Sequence, residues 1–297
     1  MSETIDQIID RLENIRSVEP ILGALRTIAM GNWKAALNRR VWAMEYANRI
    51  SDITHQIYPQ VKNNLIMAPT KDLALTRTRV TIFVIGSERG LCGAFNRVLA
   101  EHTQQYLANA YQCDQQVRLQ VAGTRASRVL QRSGIVPEGT LKLSATAVPP
   151  FKMAEELALE WLGAYEAEEL DRVEVIYNAY LGTGRYETRA VRLLPPEISG
   201  RMSDSILDAW PEPIIETNAG KLFLGVLLQH LTTRLYACLL ESSASENSAR
   251  FQLLEDARQN TERLVEELET EAAQAYRQAI TLEIQNLAVR AGLLDRN

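Results

Sequence analysis

The stretch VTIFVIGSERGLCGAFN, residues 80–96, decides the fold of the middle of the chain. Its first six residues are apolar or β-branched and stop at Gly86, which is the pattern of a short buried strand. Beyond the glycines, residues 96–111 carry apolar side chains at helical spacing. A strand, a glycine-rich turn and a helix in this order predict the start of an alternating α/β domain.

The alternation of strands and helices continues along the chain. Further strands are predicted at residues 117–121, 173–177 and 186–194, and an acidic helix at residues 153–170. We therefore expect a compact, Rossmann-like α/β domain over residues 76–213.

The chain ahead of this domain, residues 1–60, is predicted to be helical. Its apolar residues recur at steps of three and four, as at Ile5, Ile8, Leu12 and Ile15. Pro20 disturbs this pattern, because a proline removes one helical hydrogen bond and presses on the carbonyl of the preceding turn. We therefore expect a kink or a local break at residues 16–20. Pro59 and Pro69 are expected to close the helical region.

The chain after the domain, residues 214–297, is predicted to be a second long helix. Between residues 216 and 294 there is no proline, and glycine occurs at only three positions. A continuous helix of that length would measure about 110 Å, more than a small domain can bury. Two long helices at opposite ends of one chain predict an antiparallel coiled coil into which the α/β domain is inserted.

The composition excludes several classes of protein. A net charge of -5 argues against a nucleic-acid-binding protein, since these usually carry a concentrated basic surface. The three cysteines and three histidines form no ligand motif, so we expect no metal site and a reducing compartment. The first residues do not resemble an export signal, and residues 222–240 are too short and too polar to span a bilayer.

The glycine-rich turn at residues 86–96 has three interpretations. Strand, turn and helix often bind a nucleotide phosphate, but the turn lacks the Gly-x-Gly-x-x-Gly spacing and a following Lys-Ser/Thr pair. Glu88 would also bring a negative charge close to a phosphate. Cys92 could be a nucleophile, although the chain offers few histidines to act as its base. The third interpretation is a structural turn that packs the helix closely against the sheet, and the sequence favours it.

Four blocks of sequence resemble the gamma subunits of rotary ATP synthases. The turn GLCGAFN, residues 90–96, is similar to the family signature Asp-Arg-Gly-Leu-Cys-Gly-x-Phe/Tyr-Asn, with Glu88 at the position of the usual Asp. IRSV at residues 15–18 resembles the Ile-Lys-Ser-Val of the first helix. ESSASENSAR at residues 241–250 resembles Glu-Ser-x-Ala-Ser-Glu-x-x-Ala-Arg, and residues 280–283 match Ile-Thr-x-Glu.

The resemblance spans the chain and implies a rotor subunit without catalytic, cofactor or metal sites of its own. Such a subunit turns inside a ring of alpha and beta subunits and contacts an epsilon subunit and the c-ring of the membrane sector. It couples proton or sodium flow to ATP synthesis or hydrolysis. The family implies a protein peripheral to the membrane, on the cytoplasmic face of a bacterial-type plasma or thylakoid membrane.

The resemblance also implies roles for individual residues. Contacts with partner subunits are expected at Arg277, Gln278, Thr281, Glu241, Ser242, Glu246 and Arg250. A structural turn is expected at Gly90, Cys92, Gly93 and Asn96.

The sequence departs from the family pattern at several positions. Leu25 replaces a usual Met, Asn32 replaces a common Lys, and Pro20 is unusual. Arg277 and Gln278 are displaced by one residue, which is about 100° of rotation on a helix. These departures would also fit a divergent paralogue from a second ATPase operon. The residues taken alone leave two other hypotheses open, a helical-rod scaffold or adaptor and a nucleotide-dependent enzyme.

Overall fold

The computed structural model describes residues 5–61, 78–144, 147–196 and 214–290. Within them the chain forms, in order, α1 (Ile5–Val61), β1 (Arg79–Ile85), α2 (Phe95–Gln112), β2 (Gln116–Ala122), α3 (Thr124–Arg132), β3 (Gly139–Leu141), α4 (Phe151–Glu166), β4 (Arg172–Gly182), β5 (Arg185–Leu194) and α5 (Ala219–Arg290).

The five strands form one sheet in the order β3-β2-β1-β4-β5. The pairs β2–β3, β1–β2 and β1–β4 are parallel, and β5 lies antiparallel to β4 as the second strand of a hairpin. The chain moves outward from β1 to β3 and then crosses to the other side of β1. The point at which the strand order reverses, between β1 and β4, is where doubly wound domains usually bind ligands.

The central strand β1 is buried on both faces, as its apolar sequence predicts. Val80, Ile82 and Val84 face α2 and α3, whereas Phe83 and Ile85 face α4 and α5. Each of these side chains is at most 1% exposed. The alternation of strand side chains therefore supplies two apolar cores from a single strand.

The second core depends on α5 as much as on α4. The ring of Trp161 on α4 meets Phe83 edge-on, with their centroids 5.4 Å apart. From α5, leucine and phenylalanine side chains at every fourth position are fully buried there: Phe223, Leu227, Leu231, Leu235 and Leu239. The first five turns of the last helix therefore form part of the α/β core.

Two elements were not predicted from the sequence. Helix α3 has nine residues, and only Ala126, Val129 and Leu130 of them are apolar and pack in the core. Strand β3 has three residues and pairs with β2 alone. Both are too short for their periodicity to be recognised.

The local break expected at Pro20 is wrong, because α1 is a continuous helix from Ile5 to Val61. A proline removes a single backbone donor, and the neighbouring hydrogen bonds of the helix stay in place. Arg16, one turn earlier, forms an ion pair with Glu269 of α5. Support from the adjacent helix therefore reaches the turn that Pro20 weakens.

The chain divides into two compact units, one of which comprises residues 29–250. In this unit α1 and α5 are antiparallel. Arg40 pairs with Glu241 at 2.9 Å, and further along α1 the ring of Tyr58 lies 6.0 Å from that of Phe223. Ala36 is fully buried in a cluster with α5 side chains, and such small residues let the two helix backbones approach closely.

The other compact unit comprises residues 1–28 and 251–297. Ile8 and Leu12 of α1 form an apolar cluster with Leu268 of α5. Arg26 pairs with Glu255 at 2.5 Å. Because partners on α5 move towards its start as α1 proceeds, the pairing is antiparallel here too. The predicted fold class, an antiparallel helix pair with an inserted α/β domain, is confirmed.

Helix α5 contains an 18-residue window whose length and composition would suffice to cross a membrane, and half of that window is buried inside the protein. By this criterion the prediction that residues 222–240 are too polar to span a bilayer was too strict. A core helix of a soluble protein satisfies the same criterion.

Candidate functional site

Two glycines shape the turn that follows β1. A Cβ atom on Gly86 would lie 2.2 Å from the Cβ of Ala126, so only glycine allows α3 to approach the sheet this closely. Gly93 has a φ of +59°, a backbone conformation that glycine adopts without strain. Backbone geometry therefore accounts for Gly86 and Gly93, whereas a Cβ at Gly90 would meet no other atom within 4 Å among the described residues.

The turn is closed by hydrogen bonds among its own side chains. The Oδ1 of Asn96 accepts from the Ser87 amide at 3.1 Å, and its Nδ2 donates to the Ser87 hydroxyl at 2.7 Å. The same Nδ2 lies 3.6 Å from the Sγ of Cys92. Burial, assisted by the charge of Glu246, raises the pKa of the Cys92 thiol. A protonated, 3% exposed thiol is a poor nucleophile, which argues against the catalytic hypothesis for Cys92.

Glu88 occupies the start of α3. Its carboxylate accepts hydrogen bonds from the Thr124 amide at 3.0 Å, the Thr124 hydroxyl at 2.7 Å and the Leu143 amide at 3.0 Å. Burial alone would raise the pKa of Glu88, but these hydrogen bonds outweigh it and hold the pKa below its usual value. The N-terminus of a helix attracts anions, and here the protein supplies its own.

Helix α5 lies across the carboxyl end of β1, where a doubly wound domain would bind a ligand. The Ser242 hydroxyl donates to the carbonyl of Ile85, the last residue of β1, at 3.3 Å. The cavity that remains beside Gly86, Ser242 and Arg250 has a volume of about 20 Å³. That is roughly the space of a single water molecule. The cavity that the described residues form here is therefore too small for a nucleotide.

The structure gives the predicted contact residues Glu241, Ser242, Glu246 and Arg250 partners within the chain. Together with their neighbours they form the polar segment of α5, residues 241–250. The Glu241 carboxylate binds Arg40 at 2.9 Å and accepts from the Tyr177 hydroxyl at 3.1 Å. Arg250 pairs with Glu246 at 2.5 Å and donates to the carbonyl of Gly90 at 3.3 Å. The turn and the polar segment, singled out separately from the sequence, meet at one edge of the sheet.

Arg277, Gln278 and Thr281 lie in the other compact unit and are exposed on α5. The Thr281 hydroxyl donates to the Arg277 carbonyl within the helix at 2.7 Å. From residue 276 to 290 no side chain is buried. The large apolar side chains of this end are more than half exposed: Tyr276, Ile280, Leu282, Ile284, Leu287 and Val289. This end of α5 therefore presents a free surface on which apolar and polar groups are mixed.

Two residues that contact the polar segment of α5 were not identified from the sequence. Tyr177 and Arg40, the partners of Glu241, lie 64 and 201 positions away along the chain. Tyr177 was recognised only as part of a strand, and Arg40 as part of a helical segment. No short-range pattern connects either of them to Glu241.

Within the described ranges, no group of three or more His, Cys, Asp and Glu side chains is arranged to hold a metal ion. The three cysteines are free thiols: Cys92 and Cys238 are buried, and Cys113 is exposed.

Comparison with known proteins identifies the family. The family model described as ATP synthase matches residues 4–289. The ATP synthase gamma chain of Nautilia profundicola is 25% identical over 285 residues, which is 95% of each chain. That of Desulfitobacterium hafniense is 27% identical and covers 96% of this chain and 97% of its own. The chain belongs to the ATP synthase gamma-chain family.

The gamma-chain fold agrees with a solved structure. A chain in the central stalk/c-ring structure of the Tetrahymena thermophila mitochondrial ATP synthase is 19% identical, with a TM-score of 0.58. The alignment covers 80% of this chain and 99% of the Tetrahymena chain. At that identity the likeness establishes the fold alone. It extends the gamma-chain assignment, made from sequence, to the arrangement of helices and sheet.

Proposed function

We propose that this chain is the central-stalk rotor subunit of an F-type ATP synthase. It couples ion flow through the membrane sector to ATP synthesis or hydrolysis by rotation. The observation that carries this function is the match to the family over residues 4–289, together with two long antiparallel helices. The subunit is non-catalytic, as gamma chains are, and it is peripheral to the membrane. We place it on the cytoplasmic face.

The partners of the rotor are the alpha and beta subunits of the catalytic ring, the epsilon subunit and the c-ring. We propose that Arg277, Gln278 and Thr281 contact the catalytic ring, because they lie on the exposed end of α5. A turning shaft changes the conformation of a neighbouring subunit only if it binds one conformation of that subunit more strongly than another. The exposed side chains of this end of α5 differ in chemical type from one face of the helix to the next, so they meet that requirement.

Direct ring contact is proposed for these three residues and not for the polar segment of α5. Ser242 is 1% exposed, and the side chains of Glu241, Glu246 and Arg250 are each 13% exposed. Their polar groups already bind residues of the chain itself. The division into residues 1–60, 76–213 and 214–297 is proposed as the functional one, with the helices as shaft and the α/β domain towards the c-ring.

One experiment separates the rotor from the other hypotheses. The tagged chain is purified from its native membrane, the copurifying proteins are identified, and ATP binding by the isolated chain is measured by calorimetry. A rotor copurifies with two larger nucleotide-binding subunits and binds no ATP alone. Micromolar ATP binding with a stoichiometry near one would instead support an enzyme. Copurification with unrelated proteins would support a scaffold.

A further inference from the structure

We propose that the polar segment of α5, residues 241–250, is the joint that fixes the rotational angle of α5 relative to the α/β domain and so transmits torque between them. The proposal rests on the rotor function. It gives Glu241, Ser248 and Tyr177 a positioning role that acts through the helix.

The joint connects three elements at Glu241. One carboxylate oxygen binds the guanidinium of Arg40 on α1 at 2.9 Å, and the other accepts from the Tyr177 hydroxyl on β4 at 3.1 Å. Tyr177 is 5% exposed, and the Glu241 side chain is 13% exposed. A charged group held from two directions in a largely buried site has little freedom to turn.

Two turns later, Ser248 attaches α5 to the β4–β5 hairpin. Its hydroxyl accepts from the Gly184 amide at 2.7 Å and donates to the Gly182 carbonyl at 3.3 Å. Ser248 is 1% exposed. Because both bonds go to the backbone, their geometry is set by the hairpin and not by a flexible side chain.

The remaining contacts of the joint reach β1 and the glycine-rich turn. Ser242 donates to the Ile85 carbonyl, and Arg250 donates to the Gly90 carbonyl, both at 3.3 Å. Within ten residues, α5 is therefore attached to β1, to β4, to the β4–β5 hairpin, to the glycine-rich turn and to α1.

These polar contacts resist rotation of α5, which the leucines before them do not. The apolar contacts of residues 223–239 are non-directional and tolerate small rotations, because they depend mainly on buried area. Hydrogen bonds weaken steeply away from their preferred angles, so they resist rotation of the helix. Partly buried ion pairs such as Glu241–Arg40, which joins α5 to α1, add little net stability, and their best-attested use is to fix register.

The test uses the complete ATP synthase complex reconstituted in vesicles with the double variant Tyr177→Phe, Ser248→Ala. Each substitution removes one hydroxyl and adds no bulk. We expect assembly and ATP hydrolysis close to wild type, while the number of ions pumped per ATP falls at least about two-fold, the lower end of what single coupling residues contribute. The matched control is Arg263→Ala, which removes an exposed ion pair with Glu267 on the same helix.

The outcomes are distinct. Unchanged pumping per ATP in the double variant, or an equal loss in the Arg263→Ala control, would overturn the joint. If the double variant does not assemble, Glu241→Gln takes its place. A probe on the α/β domain of the immobilised complex then reports angular fluctuations, which must exceed those of wild type. Failure of the wild-type chain to support coupled pumping would refute the rotor function itself, a result separate from failure of the joint.

Discussion

The Glu88 carboxylate accepts two hydrogen bonds from Thr124, one from the backbone amide that begins α3 and one from the side-chain hydroxyl. The pair joins the glycine-rich turn to α3, which begins 36 positions after Glu88. It also places a negative charge at the position where a bound phosphate would be stabilised by the helix N-terminus.

Replacing Glu88 with Gln should destabilise the protein at neutral pH by on the order of 1 kcal/mol, the usual value of a helix cap. The pKa of Glu88 is lowered in the folded protein. Its stabilisation is therefore present above the ordinary glutamate pKa of about 4.3 and is lost as the pH falls through the folded value. Urea unfolding at pH 7 and pH 4 measures both effects. The exposed Glu101→Gln serves as control, and a deficit equal at both pH values would contradict the account.

His230 should make the protein sensitive to mild acid. Burial, followed by the charges of Arg234 and His55, lowers its pKa to about 4. An unfolded histidine titrates near 6.5, so the stabilisation is complete above that pH and is lost as the pH falls towards 4. Between these pH values the free energy of unfolding of wild type should fall by as much as about 1.4 kcal/mol per pH unit more than that of His230→Leu. If the free energy of unfolding of the two proteins changed equally between pH 7.5 and 4.5, His230 would not be the source of the acid sensitivity.

Cysteines placed at Leu12 and Leu268 should form a disulfide within one chain under mild oxidation. Both side chains are buried in the same apolar cluster between α1 and α5. The exposed Cys113 is first replaced by serine, and the products are separated by non-reducing electrophoresis. A control pair at Leu12 and Leu287 should not link, because Leu287 is 58% exposed and outside the cluster. Links only between different molecules would indicate an oligomeric coiled coil in place of the hairpin.

Removing the residues after Ala275 should leave a folded subunit whose complex couples poorly. No side chain from residue 276 to 290 is buried, so the free energy of unfolding should change by no more than about 0.5 kcal/mol. Coupling should suffer because Arg277, Gln278 and Thr281 are lost. ATP hydrolysis and ATP-driven ion pumping are measured in parallel. If the truncated complex pumped as many ions per ATP as the full-length complex, this end of α5 would have no role in coupling. If the truncated subunit failed to fold, this end would be part of the structural core.

The sequence predicted the elements whose periodicity extends over several turns or alternations. β1, β2 and α2 are found within one residue of their predicted bounds, whereas β4 ends five residues later than predicted. The two long helices are present, although the predicted end of the second, residues 291–297, lies outside the described residues. The disruptive effect of Pro20 on α1 was overestimated from its helix propensity, since a long helix with a partner beside it tolerates one missing hydrogen bond. α3 and β3 could not be predicted, because they depend on contacts with distant residues. α3 packs closely against Gly86, and β3 pairs with β2.

The sequence singled out Glu88, Glu241 and Arg250 one by one, but it did not indicate how they are arranged. Glu88 was interpreted from its charge as unfavourable for phosphate, but its partner Leu143 lies 55 positions later. Glu241 and Arg250 were recognised by resemblance alone, and nothing local indicated that they would bind Tyr177 and Gly90. Contacts between distant segments depend on the packed sheet, which a pattern along one strand or helix does not encode.

The burial of Phe223 to Leu239 against the sheet has a consequence for the synthesis of the chain. The ribosome completes β1 to β5 before it makes these residues, so the face of the sheet that α4 and α5 share emerges with α4 alone to cover it. Folding of the α/β domain must wait for α5 or depend on a chaperone during that interval. A premature stop ahead of Phe223 should therefore yield an aggregating product, even though every strand is present.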